Sequence, residues 1–193
     1  SISFAYSLVF FLSVLLIFML LFYKIIIWHV LTFLFLNLLY NLFLKKLPLI
    51  DLLTISLGYI IRLDSGSTLI EISSSFLMIM TIFFLSFFVI SMKRFIEINN
   101  GITKTSLKFY NKKHLYFSSI LGIFFSMIFY ILFLYFKNLN IFLTLPVAIY
   151  FLYIYFYKNI NGIIISPVDI VFKDLRLILS IIVFFIIIFF QMY

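Results

Sequence analysis

Long apolar runs follow one another along almost the whole chain, separated by short polar connections. A helix needs roughly 20 apolar residues to cross about 30 Å of hydrocarbon, and most of these runs come close to that length. The pattern therefore predicts an all-α polytopic membrane protein that forms a single membrane-embedded domain over residues 1–193. Seven spans are predicted, at 2–23, 25–44, 48–63, 74–92, 115–136, 141–157 and 175–193.

Composition agrees with this class and narrows the chemistry. The chain is 66% hydrophobic and 10% charged, whereas soluble domains carry roughly 25% charged residues. In such a protein a net charge of +8 first reports topology and contact with the bilayer, so no nucleic-acid partner is expected. The absence of cysteine excludes disulfides, thiolate catalysis and cysteine-ligated metal sites.

Basic residues concentrate in alternate connections between the predicted spans. Arg62 lies inside the third span, and Lys24 and Lys137 fall in one set of connections. The positive-inside rule places the opposite, richer set in the cytoplasm. The sequence thus predicts a bacterial inner (plasma) membrane protein, with the N-terminus of this chain cytoplasmic and its C-terminus outside. The richer set comprises Lys45, Lys46, Lys93, Arg94, Lys104, Lys108, Lys112, Lys113, Lys158, Lys173 and Arg176.

Polar side chains also collect at the predicted cytoplasmic ends of the spans. Ionisable residues near membrane depth are costly and often functional. This layout is typical of an enzyme whose substrate has an anionic head at the water boundary and a tail among the helices. The polar groups lie in "YNLFLKK" (Tyr40, Lys45, Lys46), at Asp51, in "KRFIE" (93–97) and in "SPVDIVFKDLRL" (166–177).

Each of these groups also has a simpler interpretation, which stays open at this stage. Asp51 suits the N-terminus of a helix, paired with Lys45 or Lys46. Lys93 and Glu97 are four residues apart, so they can pair on one helix face. Arg62 can extend its guanidinium to the outer interface.

The remaining ionisable residues near the outer face are interpreted as structural. His29 stands beside Trp28, which is typical of an aromatic belt at the interface rather than of a metal site. Asp64 and Glu71 are expected in a solvated outer loop.

Three segments in this order resemble the UbiA-type polyprenyl transferase superfamily, and within it the decaprenyl-phosphate phosphoribosyltransferase branch. They are "LYNLFLKKLPLIDLLTISLGYIIRLDSG", "FFVISMKRFIEI" and "SPVDIVFKDLRL". The resemblance covers essentially the whole chain. The positions that match the pattern of the branch are Tyr40, Lys45, Asp51, Arg62, Gly66, Lys93, Arg94, Glu97, Pro167 and Asp174.

The resemblance implies a UbiA-like helical bundle, of which this chain holds about seven of the nine family spans. The first Asp-rich motif of the family is absent from the sequence. That motif, which supplies the principal Mg²⁺ ligands, is expected upstream of Ser1. No metal ligand is therefore assigned here, and the chain alone is expected to be inactive.

The implied activity is transfer of a 5-phosphoribosyl group from phosphoribosyl diphosphate to a polyprenyl (decaprenyl) phosphate, with Mg²⁺ as cofactor. An acceptor phosphate is already anionic, so the chemistry needs stabilisation of the leaving diphosphate rather than a protein nucleophile. No catalytic residue is assigned. The substrate-binding and phosphate-binding candidates that the resemblance implies are Tyr40, Lys45, Asp51, Lys93, Arg94, Glu97 and Asp174.

Two other functions stay open. The first is prenyl transfer from a polyprenyl diphosphate to an aromatic acceptor, as in other UbiA-type enzymes. Those usually carry a second carboxylate pair where this chain has "KRFIE". One carboxylate beside two cations suits a phosphate better than a second Mg²⁺. The second alternative is a non-enzymatic membrane subunit or lipid carrier.

Overall fold

The computed structural model describes residues 26–101, 107, 110–160 and 167–192, and helices are its regular elements throughout these ranges. The predicted all-α class is therefore confirmed for this part of the chain. The predicted span 2–23 lies outside the described residues. The helices, in chain order, are α1 (Ile27–Leu42), the short 3-10 helix η1 (Leu44–Lys46), α2 (Ile50–Leu69), α3 (Phe76–Asn99), α4 (Lys112–Phe136), α5 (Ile141–Ile160), α6 (Pro167–Lys173) and α7 (Leu175–Met192).

Three of the described helices, α3, α4 and α5, are long and apolar enough to cross a membrane. Helices α1 and α7 are apolar but shorter, and α2 carries three charged residues along its 20-residue length. Membrane-compatible helices are thus found where the sequence predicts them. The count of seven spans and the UbiA-like arrangement stay predictions.

Four helices extend beyond the predicted span boundaries: α4 and α5 by three residues each, and α2 and α3 by more. Helix α2 runs to Leu69, so Asp64, predicted in an outer loop, lies inside a helix instead. Helix α3 runs to Asn99, because Lys, Arg and Glu are good helix formers and the backbone continues where hydropathy falls. Gly101, with φ at +68°, follows the end of α3 in the left-handed conformation that commonly stops a helix.

Helix α3 is the centre of the described bundle and packs closely against α4. A Cβ added at Gly122 of α4 would lie 2.9 Å from the Cβ and 3.0 Å from the Cα of Phe88. Ser118 and Ser126 stand four residues on either side of Gly122 and are buried with it. This face of small residues allows the two backbones to approach, as in many membrane helix pairs.

Two clusters of buried apolar residues share the C-terminal half of α3. The first joins Phe88, Met92 and Ile96 of α3 to the second half of α5, to α6 and to the start of α7. The second joins Ile90 to the first turns of α2 and α4. The C-terminal ends of α3 and α5 and the N-terminal ends of α2, α4 and α7 therefore meet at one end of the bundle.

We call this the basic end, because most of the described cations lie on it. The described cations that lie elsewhere are Arg62 and Lys137. The cations of the basic end are Lys45, Lys46, Lys93, Arg94, Lys112, Lys113, Lys158, Lys173 and Arg176.

The basic end is predicted to face the cytoplasm, and single cysteines can test this in a chain that has none of its own. Asn100 at the basic end and Lys137 at the opposite end are both exposed. In intact cells, an impermeant thiol reagent should label Lys137→Cys and leave Asn100→Cys unlabelled until the cells are opened. Labelling of Asn100→Cys from outside would contradict the predicted topology and place the basic end outside the cell.

Candidate functional site

A buried guanidinium lies at the centre of a polar cluster at the basic end. Arg94 on α3 is only 8% exposed, and its Nε and Nη2 donate to the two carboxylate oxygens of Asp51 at 3.0 and 3.2 Å. Its Nη1 donates to Glu97 Oε2 at 2.9 Å, and Nη2 also donates to Tyr40 Oη at 3.2 Å. The planar fork of arginine suits such a bidentate contact.

Asp51 is fully buried and accepts hydrogen bonds from two directions. Besides the guanidinium, its Oδ2 accepts from the Oη of Tyr110 at 3.0 Å. Tyr110 lies just before α4. Burial, followed by the nearby negative charge of Asp51, raises the pKa of the Tyr110 hydroxyl, so it stays protonated and remains a donor. We call Tyr40, Asp51, Arg94, Glu97 and Tyr110 the Arg94 cluster.

Local structure explains how these side chains meet. Arg94 and Glu97 are three residues apart and share one face of α3, whereas Lys93 lies on the exposed face. Asp51 is in the first turn of α2, directly after the turn at Leu49, whose φ of 69° is unusual for a branched residue. That turn brings α2 back against α1, which carries Tyr40 near its end.

The structure brings together four of the seven residues proposed from the sequence: Tyr40, Asp51, Arg94 and Glu97. The predicted pairing of Asp51 with Lys45 or Lys46 is wrong. Among the described residues, the ion-pair partner of Asp51 is Arg94. The guanidinium is available to α2 because α3 stays helical past the apolar run.

The other three proposed residues lie outside the cluster. Lys45 is half-buried on η1, Lys93 is exposed on α3, and Asp174 belongs to a separate group described below. Tyr110 was missed by the sequence analysis. It is one of 13 tyrosines, and neither spacing nor charge distinguishes it from the others.

A second polar group lies where α5 meets α7. Asp174 is buried, forms an ion pair with Lys158 of α5, and accepts from the backbone N–H of Arg176 at 2.9 Å. The hydrogen bond from Lys158, followed by those from Arg176, lowers the pKa of the Asp174 carboxyl to about 2. Asp174 therefore caps α7 as a permanent anion.

Near the opposite end of the bundle, Arg62 and His29, which the sequence predicts near the outer interface, have specific partners. The guanidinium of Arg62 lies over the rings of Phe33 and Tyr59, at 4.8 and 5.3 Å from the ring centroids. His29 Nε2 lies 3.1 Å from Asp64 Oδ2, which links α1 to α2. The interpretation of His29 as part of an aromatic belt does not account for its contact with Asp64.

A cleft of about 140 Å³ lies between the middle portions of α1 and α2. Arg62 lines one end, and Tyr40 of the Arg94 cluster lines the other. Asn37 and Thr54 line the part between them. The cleft therefore runs from Arg62 to Tyr40, a residue that contacts the buried guanidinium.

The described residues lack the usual grouping of metal ligands. They include no group of three His, Asp or Glu side chains placed to hold a metal ion. Both oxygens of Asp51 are engaged by Arg94, and one also by Tyr110, so this carboxylate is not arranged as a ligand.

Neither a scan against protein-family models nor a search of curated proteins finds a match for this chain. Its function is therefore best argued from the residues and their geometry.

Proposed function

We propose that this chain forms part of a UbiA-type membrane transferase that moves a 5-phosphoribosyl group from phosphoribosyl diphosphate to a polyprenyl phosphate. In this reaction an oxygen of the acceptor phosphate forms a bond to the anomeric carbon of the ribose. The bond from that carbon to the diphosphate breaks, and diphosphate leaves with the electron pair.

One observation carries the proposal. Four residues of the proposed motif, Tyr40, Asp51, Arg94 and Glu97, come from three helices and meet in one buried cluster. A purely local role for each residue, such as anchoring a helix end, does not require them to meet. Their convergence supports a shared role at the basic end of the bundle, where a lipid phosphate would reach the membrane surface.

The different surroundings of the two neighbouring cations support different roles for them. Arg94 is surrounded by protein acceptors, so we propose it as a positioning residue that fixes α1, α2 and α3 relative to one another. Lys93 is exposed beside it, and Lys45 is half-buried on η1. We propose that these two lysines bind the phosphates of the substrates, because each has an ammonium group available to an anion.

Mg²⁺ would neutralise charge on the leaving diphosphate in such a reaction. The described carboxylates do not form a site for it, so no role in metal binding is given to Asp51, Glu97 or Asp174. The contribution of this part of the chain is to order the helices and to bind phosphate.

A transfer assay on the protein made from its complete natural coding sequence tests the proposal. Lys93→Gln should lower kcat/KM for phosphoribosyl transfer by roughly tenfold to a hundredfold, the worth of one charge-assisted hydrogen bond in the transition state. Lys112→Gln removes an exposed cation from the same end of the bundle and is the matched control.

Two further measurements separate the alternatives. A parental rate in Lys93→Gln would show that this lysine only anchors the end of α3. Transfer from a polyprenyl diphosphate to an aromatic acceptor, without phosphoribosyl transfer, would identify the other enzyme class. No turnover in either assay by folded protein would favour a non-enzymatic subunit or lipid carrier.

A further inference from the structure

An apolar groove of about 360 Å³ lies between α5 and α7. Arg176, Leu179, Ser180 and Val183 form its wall on α7, and their spacing places them on one face of that helix. Leu179 and Val183 are 49% and 43% exposed, so the groove opens toward the outside of the described bundle. The wall on α5 consists of Pro146, Val147 and Tyr150.

A cationic group lies at one end of this groove. Asp174 is paired with two cations, Lys158 and Arg176, so the three side chains together carry one net positive charge. The side chain of Arg176 is 65% exposed, and its Nε and Nη2 lie 3.3 and 3.5 Å from the carboxylate. Its guanidinium carries five N–H donors, so several remain available to a further acceptor.

We propose that this groove holds one anionic phospholipid, with its phosphate against Arg176 and one acyl chain between α5 and α7. The apolar walls match a hydrocarbon chain, and the positive end matches an anionic head group. Ser180 is a small, buried side chain in this wall, next to the larger and exposed Leu179.

This site is separate from the Arg94 cluster and does not rest on the proposed transferase function. Helix α7 packs on α5 and α6, whereas the Arg94 cluster lies among α1, α2, α3 and the residue before α4. A lipid in the groove would hold α5 and α7 together at their outer face.

Native mass spectrometry of the complete natural protein in detergent can test the site. Phosphatidylglycerol and zwitterionic phosphatidylcholine with the same acyl chains would be titrated separately. Phosphatidylglycerol should bind more tightly, and Arg176→Gln should weaken its binding by roughly fivefold, the typical effect of one basic residue on an anionic head group. Lys112→Gln and Lys137→Gln, at the basic and opposite ends, should bind as the parent does.

A second pair of variants tests the chain-binding part of the groove. Ser180→Phe should fill the groove and reduce binding of both lipids. Leu179→Trp should narrow the groove at its exposed rim. Because Leu179 is exposed, this variant can still test lipid binding if Ser180→Phe fails to fold.

Several outcomes would overturn the proposal. Equal phosphatidylglycerol affinity in the parent, Arg176→Gln and Leu179→Trp would show that the groove is not the binding site. An equal loss in Lys112→Gln would show only general attraction to a basic surface. If a polyprenyl phosphate, titrated in the same way, bound in the groove more tightly than phosphatidylglycerol, the groove would be assigned to a lipid substrate instead.

Discussion

Replacing Arg94 with methionine should lower the free energy of unfolding by about 3–5 kcal/mol, the usual cost of breaking a buried ion pair from one side. The variant keeps most of the side-chain volume but leaves Asp51, which is fully buried, without its guanidinium. The loss can be measured by titrating the purified protein with a denaturing detergent in mixed micelles.

Lys93→Met is the matched control, because it removes a neighbouring cation from the exposed face of the same helix. It should change the free energy of unfolding by less than about 0.5 kcal/mol. Adding Asp51→Asn to Arg94→Met should recover part of the loss, since the buried carboxylate is then neutral. Equal stability of Arg94→Met and Lys93→Met would mean that the Arg94 cluster contributes nothing to the fold.

Gly122→Ala should destabilise the protein by about 1–3 kcal/mol, as expected for overpacking a tight contact. The added methyl would approach the backbone N and Cα of Phe88 to 3.0 Å, and backbone atoms on α3 cannot move aside alone. A shift of the whole α3–α4 pair would therefore be needed. The same detergent titration measures the loss.

Gly66→Ala provides the control for Gly122→Ala. Gly66 is also within a helix, but a Cβ added there meets nothing within 4 Å. Alanine favours helix by up to about 1 kcal/mol over glycine, so Gly66→Ala should be neutral or stabilising. If both variants behave alike, the close approach of α3 and α4 is not a determinant of stability.

Hydropathy predicted the long described helices, but it missed the short α6 and the far ends of α2 and α3. The apolar run in α3 stops near Met92, so hydropathy predicts the end of the span there. The helix continues to Asn99 because helix formation depends on the backbone and on helix propensity. Hydropathy marks where side chains become polar, and that point need not coincide with the end of the helix.

The contacts within the Arg94 cluster were harder to predict than the residues that form it. Four of them stand out as polar residues beside apolar runs, but spacing along the chain indicates only neighbours on the same helix. For Asp51 the sequence offered Lys45 or Lys46, which are close to it in the chain, as an open alternative. The actual partner is Arg94 on another helix, and only the packing of α2 against α3 brings the two together.

The pairing of Asp51 with Arg94 also has a consequence during synthesis. The two residues are 43 positions apart, so at about 5–20 residues per second the ribosome makes Asp51 roughly 2–9 s before Arg94. In that interval the carboxylate cannot pair with Arg94, and α2 itself is completed only when Leu69 has been made. The contact that fixes the start of α2 against α3 can therefore form only after most of α3 has been made.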